Sequence, residues 1–302
     1  MITTQIPIVG ILRSHAAWLE NPEEGRKADL SGLTLNDRDL SGAVLREAIF
    51  RGTTLLDANL SRADLGAARM EAADLQRANL AGADLTGASL THCNLAGAFL
   101  RESNLSEMTV IGTQFSHARM PNARMLDASV NDSSFVQATA PEASFHQSRF
   151  YDADFRGSDL ARAIFYHARL QHVRFAGISA ANANFGGAKI DHCDFTGASV
   201  AGGRFARAEV VQTVFRHANL QGCDFREARI RGGDFSRATL AGSRFGGAQL
   251  MMADLRGANL TGARELTAEQ LGQSMTDETT VLPNGSRGPY LRHSGAERPR
   301  LI

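Results

Sequence analysis

The sequence predicts an all-β coil: a chain that runs straight briefly, turns a corner, and repeats until it stacks on itself. Three observations predict it. Stepping by five from Leu30 to Leu260 meets 47 positions, all apolar, of which 21 are Leu and 15 are Phe. Two residues before each centre, from Ala28 to Ala263, 30 of 48 positions are Ala. Two residues after a centre lie 18 of the 29 glycines. Helices bring like residues to one face every three or four positions, and strands every two. A strict five suits neither. It suits short straights whose bulky centre points inward beside a small residue, with Gly supplying φ > 0 at the corner. Four such corners, one of the closures that the period allows, close a coil in twenty residues, and coils stack at about 4.8 Å. About twelve coils then make a rod of roughly 55–60 Å on that spacing.

The elements follow in chain order. Residues 1–25 read as an N-terminal helical cap and link, because a solenoid leaves open edges and exposed core at its ends. Ile11 to Leu19, with Trp18, forms a short amphipathic helix that Asn21-Pro22 ends. The start of the chain lacks a basic segment and a cleavage pattern, so it is a poor signal peptide. No stretch approaches a membrane span. Both points lead to the expectation of a soluble, cytoplasmic protein.

Residues 26–264 form the coil. The repeat stands almost undiluted as Ala58-Asn59-Leu60, Ala63-Asp64-Leu65, Ala73-Asp74-Leu75, Ala78-Asn79-Leu80, Ala83-Asp84-Leu85 and Ala258-Asn259-Leu260. These residues resemble the A-(D/N)-L-X-X motif of the pentapeptide-repeat family. The resemblance implies a right-handed quadrilateral β-helix; periodicity alone allows other solenoids. Leu60 and Leu80 exemplify the core of the first half. In the second half Phe145, Phe155, Phe165, Phe175, Phe185, Phe195, Phe205, Phe215, Phe225, Phe235 and Phe245 follow one another every ten residues. With four sides per coil, these rings stack on two opposite walls. Each buried centre contributes ~1.5–3 kcal/mol before entropy. The 106–144 stretch is the weakest, with Met108 on the Ala phase and Pro121 and Pro141 intruding, yet the register never slips.

Residues 265–283 read as the C-terminal cap. Thr267 to Gln270 has the form of a capping box opening a short helix, and Thr280 to Pro283 adds an extended closure. Residues 284–302 are polar, with Gly, Pro and Arg, and read as a disordered tail. Simple capping accounts for both ends. The alternative is a homodimer through a terminal cap, as the C-terminal end forms in some members of the family.

Charge narrows the function. The chain carries 32 basic and 32 acidic residues, which argues against direct nucleic-acid binding or a polyanion mimic, since each needs a strong single-sign field. Residues 26–144 hold 11 basic and 14 acidic residues, and residues 145–264 hold 16 and 10. Stacking at twenty aligns Arg149, Arg169, Lys189 and Arg229 in one basic ladder, interrupted by Glu209. This ladder is the candidate interaction surface. A second wall aligns Asp154, Asp194, Asp234 and Asp254, interrupted by Arg174, and mutual compensation between the walls is the plainer account of both.

Few residues fall in patterns that carry chemistry. Six histidines lie two residues after a centre, at exposed corners, and the column Asp132, Asp152, His172, His192 offers a weak metal site at His172, His192 and Asp152. A solvated polar column is the plainer account of it. Cys93, Cys193 and Cys223 fall on the Ala phase, where a thiol acts as a small core residue, and their spacing matches no zinc or redox pattern. No G-x-S-x-G elbow, phosphate loop or dinucleotide fingerprint occurs. The sequence therefore predicts no enzyme and no cofactor. It predicts a binding scaffold, a rigid rod displaying side chains to an unidentified protein partner. The resemblance adds gyrase or topoisomerase modulation by DNA mimicry, which the neutral surface and the lack of inserted loops disfavour. A metal site or an enzyme on the histidine column is the third reading.

Overall fold

A computed structural model describes residues 8–299. Ten three-residue strands, β1 (Arg69–Glu71) to β10 (Gln249–Met251), pair in chain order into one parallel sheet. Partners lie twenty residues apart: Met70 faces Leu90, and Ile230 faces Leu250. Three further ladders of single bridges keep the same offset, among them Thr54↔Asp74, Asn59↔Asn79 and Asp64↔Asp84, so the coil has four sides. The ten strands span about nine turns, and bridges at the same offset begin at Asp29 and reach Arg264.

Hydrogen bonding explains why five residues suffice for a side. Leu60 N–H donates to Asn79 O at 2.7 Å, and Asn79 N–H donates to Ala58 O at 2.9 Å. Each straight thus bonds to the turns on both sides of it, while its centre points into the core. The corner differs from the glycine-based expectation. Every position two after a centre, from Gly32 to Gly262, has φ between 45° and 70°, including Asp57, His172 and Arg207. The left-handed conformation costs a non-glycine roughly 1–2 kcal/mol. The corner amide offsets that cost by joining the ladder, as when His172 N–H donates to Asp191 O at 3.0 Å. Glycine eases the corner, but the ladder imposes it.

The core is one continuous column of centres and small residues. Its rings form two stacks, one running from Phe145 to Phe245 and the other from Phe115 to Phe235. Rings within a stack lie 4.5–5.3 Å apart. Successive rings of the facing stacks meet edge-on at 5.6–6.4 Å. Hydroxyls on the small phase are buried but paired. Thr53 Oγ1 donates to Leu30 O and Ser243 Oγ to Leu220 O, both at 2.8 Å, so neither leaves a buried polar group unpaired.

The ends close the column. Helix α1 (Ile8–Glu20) is longer than the Ile11–Leu19 span read from the sequence. It docks through Ser14 and His15: Arg26 N–H donates to Ser14 Oγ at 3.0 Å, and Ala28 N–H to His15 Nδ1 at 3.1 Å. A Cβ at Gly25 would sit 2.2 Å from Ser14 O, so the link passes the helix only as glycine. At the other end Thr267 and Gln270 form a capping box on helix α2 (Ala268–Gly272). Gln270 Nε2 also donates to Phe245 O at 2.8 Å and Ala248 O at 2.7 Å, tying the helix to the last turn. Met275 and Val281 then extend two ladders by bridging Asp254 and Asn259.

Residues 284–299, read from the sequence as a disordered tail, are folded. Gly288 N–H donates to Thr280 O at 3.1 Å, Tyr290 N–H to Thr276 Oγ1 at 2.9 Å, and Asn284 N–H to Ala296 O at 3.2 Å. Ala296 is buried. Polar composition suggested disorder, but local bonds of this kind fix a segment without a long apolar run. Residues 300–302 and 1–7 lie outside the described residues. Among the described residues no helix is long and apolar enough to cross a membrane.

Candidate interaction surface

The basic ladder falls on the ten-stranded side. Arg149 opens β5 (Arg149–Tyr151), Arg169 opens β6 (Arg169–Gln171), and Lys189 opens β7 (Lys189–Asp191). Glu209 opens β8 (Glu209–Val211) and Arg229 opens β9 (Arg229–Arg231). Register pairs each with the next. Every strand centre points inward, so its first residue faces outward. Glu209 is shared, lying 3.4 Å from Lys189 and 3.6 Å from Arg229. Arg149 and Arg169 make no ion pair among the described residues, so the open positive charge of this ladder sits at its lower end.

The acidic column is compensated locally. Asp154 lies 2.7 Å from Arg156 and 3.3 Å from Arg174. Burial alone would raise its pKa, but the hydrogen bonds from Arg156 and the charge of Arg174 hold it below the ordinary carboxylate range. Asp234 is held low in the same way by Ser236 and Arg216 against its burial. Asp154, Asp234 and Asp254 pair with arginines of this wall and its corner, not with the basic ladder.

The histidine column is brought together only in part. The rings of His172 and His192 lie 5.3 Å apart at a 41° tilt, and Tyr151 meets His172 edge-on at 5.8 Å. His192 Nδ1 is 2.7 Å from Asp191 Oδ1, a neighbour the column arithmetic did not include. Asp152 occupies the corner one turn below His172, with φ 51°. Among the described residues, no group of three or more His, Cys, Asp or Glu side chains is placed to hold a metal. The three thiols are free and buried. Burial pushes Cys93 up to about 11 and Cys193 and Cys223 up to about 12, so none is a ready nucleophile.

One feature of the surface escaped the sequence reading. At the corner beside the basic ladder, Tyr166 and His167 are followed one turn later by Gly186 and Gly187, and then by Ala206 and Arg207. The missing side chains open a groove of about 470 Å³, lined also by Asn184, Arg204, Arg226 and Glu227. Tyr166 is 40% exposed and stacks on His146 at 5.6 Å. Its ring lies 3.2 Å from the point where a Cβ on Gly186 would sit, so any larger residue there would displace it. Arg207 is 3.0 Å from Glu227, and Arg226 is 2.7 Å from Asp224. The signal for this corner in the sequence is the twenty-residue register of Tyr166, Gly186 and Ala206 on one exposed phase.

Comparison with known proteins agrees with the periodicity. Family models described as pentapeptide repeats match residues 28–66, 68–107 and overlapping stretches from 142 to 232. A second pentapeptide-repeat model matches 115–159 and 215–263. Among solved structures, the chain is similar to HetL, a pentapeptide repeat protein involved in heterocyst differentiation regulation from the cyanobacterium Nostoc. Identity there is 23% over 89% of this chain and 97% of that one, with a TM-score of 0.30. QnrB1, a plasmid-mediated fluoroquinolone resistance protein, is 17% identical over 63% of this chain and 91% of its own, with a TM-score of 0.28. A pentapeptide repeat protein of the Arabidopsis thaliana thylakoid lumen is 27% identical over 39% of this chain and 74% of its own, with a TM-score of 0.27. No curated protein matches the sequence.

Proposed function

The chain belongs to the pentapeptide-repeat family, and we propose that it acts as a rigid binding scaffold for a protein partner. One observation carries the reading: exposed side chains stand in ladders whose register is fixed by backbone bonds every twenty residues. A surface ordered in advance loses little entropy on binding, which favours recognition by the rod as it stands. The grooves are shallow and open along the walls, a shape suited to an extended partner more than to an enclosed substrate. In this reading the coil winds right-handedly through about twelve turns between residues 26 and 264.

The test is capture from native lysate by the full chain, followed by reconstitution with the purified partner. A photo-crosslinker placed in turn on each of the four walls then maps the contact. The expected result is saturable binding with crosslinks confined to one or two adjacent walls. Recovery of no partner across a range of salt, or crosslinks scattered over all four walls, would remove the reading.

A further inference from the structure

The upper half of the rod carries its charge unevenly. Between residues 145 and 264 there are 16 basic and 10 acidic residues. Arg149, Arg169, Lys189 and Arg229 form the ladder on the ten-stranded wall. Across the Tyr166 corner, the adjacent wall carries Arg204, Arg244 and Arg264 in register, with only Asp224 between them. The corner itself adds Arg207 and Arg226. Against these nine bases stand three carboxylates between residues 145 and 264, Glu209, Asp224 and Glu227, and Glu265 just beyond, whose carboxylate lies over Gly246 near Arg226. Everywhere else on this half, seven basic residues face seven acidic ones. The whole surplus therefore lies along one edge of the rod.

That edge is also where the groove opens. Arg204, Arg244 and Arg264 are exposed and make no ion pair among the described residues, and Arg204 lines the groove. Successive ladder positions are about 4.8 Å apart, so Arg244 and Arg264 stand one rung apart and Arg204 two rungs below Arg244, a row of cations along the axis of the rod. Tyr166 and Ile164, 40% and 37% exposed, give an apolar spot at the groove's lower end.

We propose that this edge binds an acidic segment of the protein partner, with its carboxylates on Arg204, Arg244 and Arg207 and an apolar side chain against Tyr166. The proposal rests on the scaffold reading above and names the partner's chemistry. A peptide fits better than a phosphate backbone for two reasons. Asp224 and Glu227 interleave the arginines, which would repel an unbroken run of phosphates but can accept from a peptide's amides. The chain as a whole is neutral, so it lacks the field that concentrates nucleic acid around a binder.

The experiment is a fluorescence-anisotropy titration of the full chain against two labelled probes, a Glu-rich peptide with one central Leu and an oligothymidylate of similar length. The expected result is saturable peptide binding that weakens with salt and falls by about tenfold or more in Arg204→Glu/Arg244→Glu. Arg62→Glu/Arg237→Glu changes the net charge equally on other faces and should leave binding unchanged. Both doubles alter only exposed side chains, and unchanged circular dichroism would confirm the coil. Absence of peptide binding, equal loss in the two doubles, or oligothymidylate binding as tightly as peptide would overturn the proposal. The wall-mapping crosslinks separate the two readings. A partner crosslinked only to another wall sinks this proposal and leaves the scaffold standing.

Discussion

The coil is filled in two ways. From Leu30 to Leu105 its centres are nearly all Leu, whereas from Phe115 to Phe245 rings stack along two facing walls. Leu75 and Phe185 are equally buried, so the difference is not how much surface is hidden. A leucine centre packs without directional preference on whatever lies above and below it. Phe185 lies parallel to Phe165 at 4.9 Å and to Phe205 at 5.0 Å, and meets Phe175 and Phe195 edge-on. Such pairs add ~0.5–1.5 kcal/mol beyond burial. In a repeat array stability is the sum of each unit and its interfaces with neighbours. The aromatic half thus couples successive turns through the core as well as through the ladders, while the leucine half relies more on the ladders.

The largest expected effect tests that contrast. Phe185→Ala should cost about 3–5 kcal/mol and Leu75→Ala about 2–5 kcal/mol, with the phenylalanine the worse because it also breaks two stacking contacts, to Phe165 and Phe205. Denaturant unfolding gives the totals, and hydrogen exchange at the flanking ladder amides gives the spread. Loss of protection should extend several turns from Phe185 and fewer from Leu75. An equal spread at both sites would end the distinction between the halves.

Much of this was legible in the sequence, because an apolar residue stands at every centre without exception. The five-residue phase placed every centre, and stepping by twenty brought Arg149 to Arg229 into the ladder that the register shows. Three things were not legible. The left-handed corner at residues such as Arg207 follows from ladder bonding and not from residue preference. The folded segment 284–299 depends on isolated backbone bonds that no pattern announces. The groove at Tyr166 arises from side chains that are absent, at Gly186 and Gly187, and an absent side chain leaves no chemical motif in the sequence.

The two ends extend the comparison, since each half is closed by a different device. Gln270 caps the aromatic half by satisfying the carbonyls of Phe245 and Ala248 from within. Gln270→Ala leaves both without that donor and breaks the capping box, at a cost of about 1–3 kcal/mol. The check is early exchange of the β10 amides with those of β1 unchanged. Uniform loss along the rod would mean that the ends are not independent of the middle.

The leucine half is closed by a histidine, and this closure should depend on pH. His15 is buried, its Nδ1 accepts from Ala28 N–H, and its Nε2 has no partner. Burial lowers its pKa; the Arg46 backbone and Glu47 oppose this, and the charge of Lys27 adds to it. The folded ring is neutral, whereas the unfolded one titrates near its ordinary value of about 6.5. As pH falls through that value the unfolded cap takes a proton that the folded cap refuses. The cap's stability is therefore full above about 6.5 and declines below it. Trp18, the chain's one tryptophan, stacks on His15 at 5.6 Å and reports the event. Its emission should change as pH drops from about 7 towards about 5, while circular dichroism of the coil stays constant. His15→Phe should abolish the change. A flat wild-type profile would mean that burial does not set the ring's charge.

The smallest effect should come from the ion pairs that bridge successive turns in both halves. Arg77 lies 2.6 Å from Asp57 in the leucine half, and Arg207 lies 3.0 Å from Glu227 in the aromatic half. Each joins residues twenty apart, so both look like rungs that knit the rod together. All four side chains are well exposed, and water and salt screen pairs of this kind until little remains. Arg77→Ala and Arg207→Ala should leave the unfolding midpoint within experimental scatter at moderate salt. Equal null results would place the difference between the halves in the core. A drop of several degrees for Arg77→Ala alone would show that the leucine half depends on its charged rungs where the aromatic half depends on its rings.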